Sequence, residues 1–261
     1  MKATYDTIGT TYNLTRKADP YLTERLIYHL QPQVHNLYLD IGCGSGNYTH
    51  QLQRRGFTCI GIDPSTTMLE KAKQKNASID WRMGTAENTG LPTESIQGVT
   101  AFLTIHHWTD ITQGMKELSR VLQKKGRIVI FTSTPLQMKN YWLHHYFPKM
   151  LADSITQMPT LTSITKAMKN AGIEIVTTAP YFIQPDLQDQ FLYCGKHDPT
   201  LYFNQHIRNG ISSFSSLANK EEVLQGLKNL KKDIRHTYID NIISSYKNNL
   251  GDYLFIVGRK K

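Results

Sequence analysis

The sequence predicts an α/β fold, a doubly wound and mostly parallel sheet with helices on both faces. Two observations carry this. Between residues 37 and 134, short apolar runs of strand length alternate with helix-like stretches, and the first run ends in a cluster of glycines, GCGSG at 42–46. Alternation at that spacing calls for right-handed crossovers, which lay successive strands parallel in one sheet.

The elements follow in order. LYLDI (37–41) is an apolar run closed by glycine, and residues 47–55 read as a helix stopped at Gly56. TCIGID (58–63) is the next strand; Ser65, after Pro64, is a fitting N-cap for a helix through Lys75. IDWRM (79–83) alternates, GVTAFLTI (98–105) is a longer buried run, Asp110 to Leu122 is helical, and GRIVIFTST (126–134) closes the series. Beyond it the rhythm breaks: residues 135–151 are helical in pattern and dense in aromatics, and Leu161 to Asn170 reads as an outer helix. IEIVTTAPYF (173–182) and DYLFIVGRK (252–260) are the last two strands. The stretch between them is too long for a hairpin loop and helical in places, which predicts a cap over a site. The chain is thus read as one domain. It has an N-terminal lid or helix (1–33), a core carrying the glycines (34–135), and an aromatic helix with an outer helix–strand pair (136–183). A helical cap (184–248) and the last strand (249–261) complete it.

Composition narrows the function classes. Of 261 residues, 39% are hydrophobic and 20% charged, enough for a real core and below the charge of a disordered chain. MKATYDTIGT has no apolar stretch behind its lysine, so no signal peptide is expected, and no run reaches the ~18 apolar residues of a membrane helix. Cys43, Cys59 and Cys194 are scattered and form no CxxC pair, which argues against a disulfide framework or zinc site and fits a reducing cytoplasm. His197 and His206 lack the spacing of a metal pair, and no metal is expected. A net charge of +9 admits nucleic acid or anionic lipid as partners. Yet runs such as Lys71/Lys73/Lys75 and Lys228/Lys231/Lys232 are short, dispersed and free of interleaved aromatics. They read as solvated faces, and nucleic acid is not the expected partner.

Ligands of open parallel sheets sit outside the carboxyl ends of the strands, where Gly42, Gly44 and Gly46 fall. Missing β-carbons let a ligand touch backbone, and a following helix offers free N–H groups. A nicotinamide fingerprint fails in both frames, since its third glycine would be Asn47 or Thr49, and no GxxxxGK[ST] loop exists. Asp40, two residues before Gly42, would repel a pyrophosphate but suits a cationic end such as an ammonium group. Asp63, ending the second strand, can accept from both hydroxyls of a ribose; its alternative is to cap the next helix. Amino acid plus ribose describes S-adenosylmethionine.

LDIGCGSGNYT, GIDPSTTML, GTAENTGLP and the HHW after the fourth strand, in this order and spacing, are similar to the class I S-adenosylmethionine-dependent methyltransferases. The group resembled is the one containing the ubiquinone/menaquinone-biosynthesis and trans-aconitate methyltransferases. The match spans residues 37 to about 134, plus GDYLFIVGRK at the end. The resemblance implies a seven-stranded, Rossmann-like sheet whose last strand is antiparallel. It also implies S-adenosyl-L-methionine as cofactor and S-adenosyl-L-homocysteine as product. Asp40, Gly42 and Gly44 would line the methionine portion, with Cys43 in the turn. Asp63 would hold the ribose, Met68 would pack near the adenine edge, and Ala86 and Glu87 would sit by the adenine. Thr104 would lie beneath the reactive methyl. The N-terminal segment resembles the lid of these relatives, with Tyr12 and Arg16 over the cofactor and Arg16 on its carboxylate; the alternative is an amphipathic helix packed on the edge.

Methyl transfer from a sulfonium is an in-line displacement, so the protein need only align the acceptor, exclude water and take up a proton. His106 and His107 are the candidate bases, the alternative being that they pack structurally with Trp108. Trp142, His145 and Tyr146 are candidate walls of an acceptor pocket, unless their stripe is core. Lys196, His197, Arg208 and the GISSF loop (210–214) could meet an anionic acceptor, or be ordinary surface. The expected function is methyl transfer to a small molecule. An RNA methyltransferase and a non-catalytic S-adenosylmethionine-binding protein are the alternatives.

Overall fold

The computed structural model describes residues 15–261. Its strands are β1 (Leu37–Ile41), β2 (Thr58–Asp63), β3 (Asp80–Met83), β4 (Ile96–Phe102), β5 (Leu122–Thr132), β6 (Ile173–Tyr181) and β7 (Tyr253–Lys260). They form one seven-stranded sheet in the order β3-β2-β1-β4-β5-β7-β6. The first five run parallel, and β7 lies antiparallel between β5 and β6. This is the mostly parallel Rossmann-like sheet the sequence predicts. The helices are α1 (Pro20–Leu30), α2 (Asn47–Arg54), α3 (Thr66–Lys75), α4 (Ile111–Val121) and α5 (Pro135–Lys139). After them come α6 (Pro148–Gln157), α7 (Leu161–Asn170), α8 (Gln205–Asn209), α9 (Lys220–Arg235) and α10 (Ile239–Ser245).

Local chemistry sets the helix starts. Asp19 accepts from Leu22 N and Pro20 opens α1. Ser65 Oγ accepts from Met68 N at the head of α3, and Asp110 accepts from Thr112 N and Gln113 N at the head of α4. Two expectations change. The aromatic segment 135–151 is not one helix but α5, a single turn at Trp142–His145, and α6, because Pro148 lacks the N–H a continuing helix needs. Strand β4 ends at Phe102 rather than 105, since Leu103 turns into the left-handed region with φ 51°.

The strands' period-2 alternation divides the core. Leu39, Ile128, Ile130 and Ile256 face α4 and α7, where Met115, Leu118, Ile164 and Met168 are buried. Tyr38, Val129, Phe131 and Phe255 face the other way, onto Leu22 and Leu26 of α1. The cap joins this second layer through Phe191, Tyr202, Phe214 and Leu230. Its docking is specific. Tyr141 and Tyr193 stack at 3.8 Å, the Glu222 carboxylate of α9 accepts from Lys149 N and Met150 N at the head of α6, and Gly226 makes room for the Phe147 ring.

The chain builds β1, β2 and β3 outward in one direction, then returns past β1 to start β4. The crevice above the β1 and β4 tips is therefore the switch point, where ligands bind in open α/β sheets.

Candidate active site

Two loops meet at that crevice. The first, after β1, folds back on β2: Gly42 N and Cys43 N both donate to Ile62 O, at 2.7 and 3.1 Å. Gly42, Gly44 and Gly46 all have positive φ, at 67°, 53° and 72°. That conformation favours glycine at each, but the missing β-carbons serve different ends. At Gly42 a β-carbon would overlap the Thr104 side chain, and at Gly46 it would overlap the Trp81 ring. Those positions are closed by the protein's own packing. At Gly44 nothing lies within 4 Å of the β-carbon position. The open cradle is at Gly44 alone of the three.

Asp63 fastens this loop to the start of α3. One carboxylate oxygen accepts from Gly44 N at 2.8 Å and the other from Ser65 N at 2.9 Å. Ser65 is the true N-cap, so the capping alternative for Asp63 does not describe its role. A carboxylate has about four acceptor sites, the kind of group that hydroxyl donors seek. Asp40 lies deeper. It is buried, and Thr49 Oγ1 and Thr100 Oγ1 donate to its two oxygens at 2.5 and 2.9 Å. Burial pushes its carboxyl up to about 6, against the pull of the two hydroxyls. The carboxylate expected to meet a ligand's ammonium thus ties α2 to β1 and β4 from beneath the loop. Cys43 is a thiol, since burial raises its pKa well above the ordinary value.

The remaining cofactor candidates lie on the segments that follow β2, β3 and β4, and on the N-terminal strap. Met68 and Ala86 are buried, and Glu87 is half-buried and accepts from Asp110 N at 3.0 Å, tying the loop after β3 to α4. Thr104 is buried with its side chain against Gly42. Tyr12 falls outside the described residues. Arg16 is held by Asp189: Nε donates to Oδ1 at 2.5 Å and one terminal nitrogen to Oδ2 at 3.3 Å. Expected on a cofactor carboxylate, it instead pairs with a carboxylate of the cap. Tyr48 OH also donates to Asp189, at 3.1 Å, while Asn47 Nδ2 donates to Arg16 O at 2.9 Å. This cluster binds the N-terminal strap to the cap and to the first turn of α2, immediately behind the glycine loop.

The second loop, after β4, opens on a cavity of about 280 Å³ between the strand tips and the cap. His106 and His107 line it, as do Leu103, Met138, Met158 and Phe191. Five serines complete the wall, among them Ser212 and Ser213 of the expected GISSF loop. Leu103 holds a left-handed backbone that costs a non-glycine residue roughly 1–2 kcal/mol, and its N–H donates to Phe131 O at 2.8 Å. Strain of this kind gathers at functional sites. Trp142, His145 and Tyr146 do not line the cavity. Trp142 is buried among Tyr146, Tyr193 and Tyr202, and Tyr146 donates to Asp233 Oδ2, so these two rings form the floor on which the cap docks, while His145 is exposed. The expected anion contacts are likewise committed elsewhere: Lys196 pairs with Asp252 at 2.6 Å, His197 Nε2 meets Ile183 O, and Arg208 donates to Tyr202 O. Among the described residues no three His, Cys, Asp or Glu side chains cluster as a metal site, and no helix is long and apolar enough to cross a membrane.

The histidines give a pH signature. Burial holds His106 neutral, lowering its pKa to about 3 with help from His107, and lowers His29 to about 4 with help from Arg25 and Arg127. Their unfolded value is near 6.5. Below it the unfolded chain takes up protons that the native state refuses, and burial lowers His107 (to about 4) and His50 in the same sense, so stability falls as pH drops from 6.5 toward 4. Asp40 opposes this, because its native carboxyl keeps a proton up to about 6 that the unfolded chain sheds near 3.8, and Asp189, also raised by burial, acts with it. The four histidines outnumber the two carboxyls. The melting temperature is expected to be level above pH 7 and to decline between pH 6.5 and 4.5, less steeply in His29→Gln; a level melting temperature across pH 5–7 would contradict this.

Comparison with known proteins agrees with the geometry. Residues 39–130 match the family described as a methyltransferase domain. The chain is 29% identical over 239 residues to the biotin biosynthesis bifunctional protein of Cellvibrio japonicus, covering 86% of this chain and 45% of that protein. It is 30% identical over 164 residues to the demethylmenaquinone methyltransferase of Chlorobaculum tepidum, covering 55% of this chain and 66% of the relative. It thus spans less than two thirds of the length of either. A crystal structure from Anabaena variabilis, described as a methyltransferase from an antibiotic biosynthesis pathway, superposes with a TM-score of 0.83 at 29% identity, covering 93% of this chain and 98% of the other. Geranyl diphosphate C-methyltransferase of Streptomyces coelicolor, in complex with Mg2+, geranyl diphosphate and S-adenosyl-L-homocysteine, shares the fold at a TM-score of 0.59 and 16% identity, over 92% of this chain and 79% of that one. The chain resembles the class I S-adenosylmethionine-dependent methyltransferases in sequence and in fold.

Proposed function

We propose that the protein transfers a methyl group from S-adenosyl-L-methionine to a small-molecule acceptor. The observation that carries this is the crevice itself: an open glycine position at Gly44, beside the Asp63 carboxylate, at the switch point of the sheet. These residues fit an adenosyl amino acid. The Gly44 backbone would meet the amino-acid portion, Asp63 would receive the ribose hydroxyls, and Ala86 would border the adenine. Bound there, S-adenosylmethionine supplies an activated methyl on a sulfonium. The residues after β4 do the rest: Leu103 and Thr104 shape the approach, the cap excludes water, and His106 or His107 accepts the acceptor's proton in a hydrogen bond. All three cysteines are free, which supports a reducing, cytoplasmic setting. Radiolabel from the methyl-tritiated cofactor, chased into metabolites of a cell extract, tests the activity; label recovered only in RNA, or in nothing, would refute it.

Asp63→Ala is expected to weaken S-adenosylhomocysteine binding by about 1–3 kcal/mol, because ribose hydroxyls would be buried without their acceptor. Isothermal titration calorimetry checks this. A loss below a few tenths of a kcal/mol would restrict Asp63 to fastening the loop.

A further inference from the structure

We propose that the methyl acceptor is an uncharged, mainly apolar small molecule whose nucleophilic oxygen or nitrogen carries a proton and hydrogen-bonds to Nδ1 of His106. The inference rests on the methyltransferase reading of the crevice and adds the chemistry of its second substrate.

The first ground is charge. Among the described residues, Arg16 is the one formally charged residue lining the cavity, and its guanidinium lies on the buried carboxylate of Asp189. The pair has no net charge to offer. Lys196 and Arg208, the cations that could have met an anion, are not in the lining and are engaged with Asp252 and with Tyr202 O. A carboxylate or phosphate entering this space would lose its hydration and gain no cation, a cost that far exceeds that of burying a neutral molecule.

The second ground is the wall. Leu103, Met138, Met158, Phe191, Leu192 and Leu217 make most of it apolar. Among the hydroxyls, Ser154 Oγ hydrogen-bonds with Met150 O and with Ser213 Oγ, while Ser133 bonds Tyr141 OH and Asp252 O. The cavity therefore wants an apolar body whose polar points fall where Gln157, Ser212, Ser216 and Tyr253 line it, and its methionines can adapt to that body's outline.

The third ground is His106. Its Nδ1 is buried and has no hydrogen-bond partner among the described residues. An unmet buried polar atom is costly, and an O–H or N–H of the acceptor would recover that cost by donating to it. In the transfer, the bond from that heteroatom to the methyl carbon forms as the carbon–sulfur bond breaks. The electron pair of the broken bond stays on sulfur, and the proton, hydrogen-bonded to Nδ1 during the transfer, leaves to solvent, because burial keeps the imidazole neutral.

Binding to the full chain, with and without S-adenosylhomocysteine, tests this by saturation-transfer NMR and competition. The probes are 2-naphthol, 2-naphthoate and 2-methoxynaphthalene. We expect 2-naphthol to bind at least ~10-fold more tightly than 2-naphthoate, and to lose about 3–10-fold in His106→Phe while 2-methoxynaphthalene loses nothing. Met158→Lys, at a half-buried lining position, is expected to reverse the preference toward the carboxylate. Equal or tighter binding of 2-naphthoate to the unaltered chain, binding of neither probe, or no response to Met158→Lys would overturn the proposal. Calorimetry with S-adenosylhomocysteine on the same sample reports separately on the cofactor reading.

Discussion

Gly44→Val is expected to abolish S-adenosylhomocysteine binding, lowering affinity at least ~100-fold, the equivalent of about 2.7 kcal/mol or more. Two effects combine. A β-branched residue must hold φ near 53°, which costs roughly 1–2 kcal/mol, and its side chain projects where no protein atom lies within 4 Å. The strain lowers stability modestly, but the volume falls on the ligand. Gly42→Val separates these, because its side chain would strike Thr104 and the result is an unfolded or strongly destabilised chain. The expected pair of outcomes is a folded Gly44→Val that does not bind and a Gly42→Val that does not fold. Circular dichroism and calorimetry on both variants check it, and a folded Gly44→Val with unchanged affinity would remove the glycine loop from the binding site.

Asp189→Ala is expected to destabilise the protein by about 3–5 kcal/mol, the usual cost of removing one partner of a buried ion pair. Asp189 is fully buried, receives two bonds from Arg16 and one from Tyr48, and lies where the strap, the cap and α2 converge. Its loss leaves the guanidinium against Phe191, whose ring is 6.0 Å away, without the carboxylate that neutralised it. At this chain length each kcal/mol corresponds to roughly 2–4 °C, so the melting temperature should fall by about 10 °C. A fall of less than about 2 °C, in the same sense, would mean that the cluster does not hold the strap. Because Tyr48 stands in the first turn behind the glycine loop, weaker cofactor binding is expected alongside.

The parallel sheet and the glycine loop were legible because their signals are local. GCGSG, Asp40 and Asp63 fall within one strand–helix–strand unit, and the turn chemistry of the loop is written in its own residues. What the sequence could not show was the assignment of roles made by distant contacts. Nothing near Gly42 indicates that Thr104 fills its side-chain space, and nothing near Asp40 indicates that Thr100 occupies one of its oxygens. Arg16 reads as a free cation until Asp189, distant in sequence, folds against it. The aromatic run 141–147 looked like a pocket wall because an aromatic stripe reads alike whether it faces a ligand or a cap. Its burial under α9 and the Tyr193–Tyr202 segment decides between them. The acceptor cavity was the least legible part. Its walls come from the segments after β4 and β5, from α5, α6 and β7, and from the cap, so no single stretch carries its pattern.

The central claim is that the Gly44–Asp63 crevice holds an adenosyl amino acid. A crystal structure of the full chain grown with S-adenosyl-L-homocysteine tests it most directly. The expected result is the ribose hydroxyls on the Asp63 carboxylate and the amino-acid portion against the Gly44 backbone. A crevice left empty at saturating ligand, or the ligand bound elsewhere, would contradict the account.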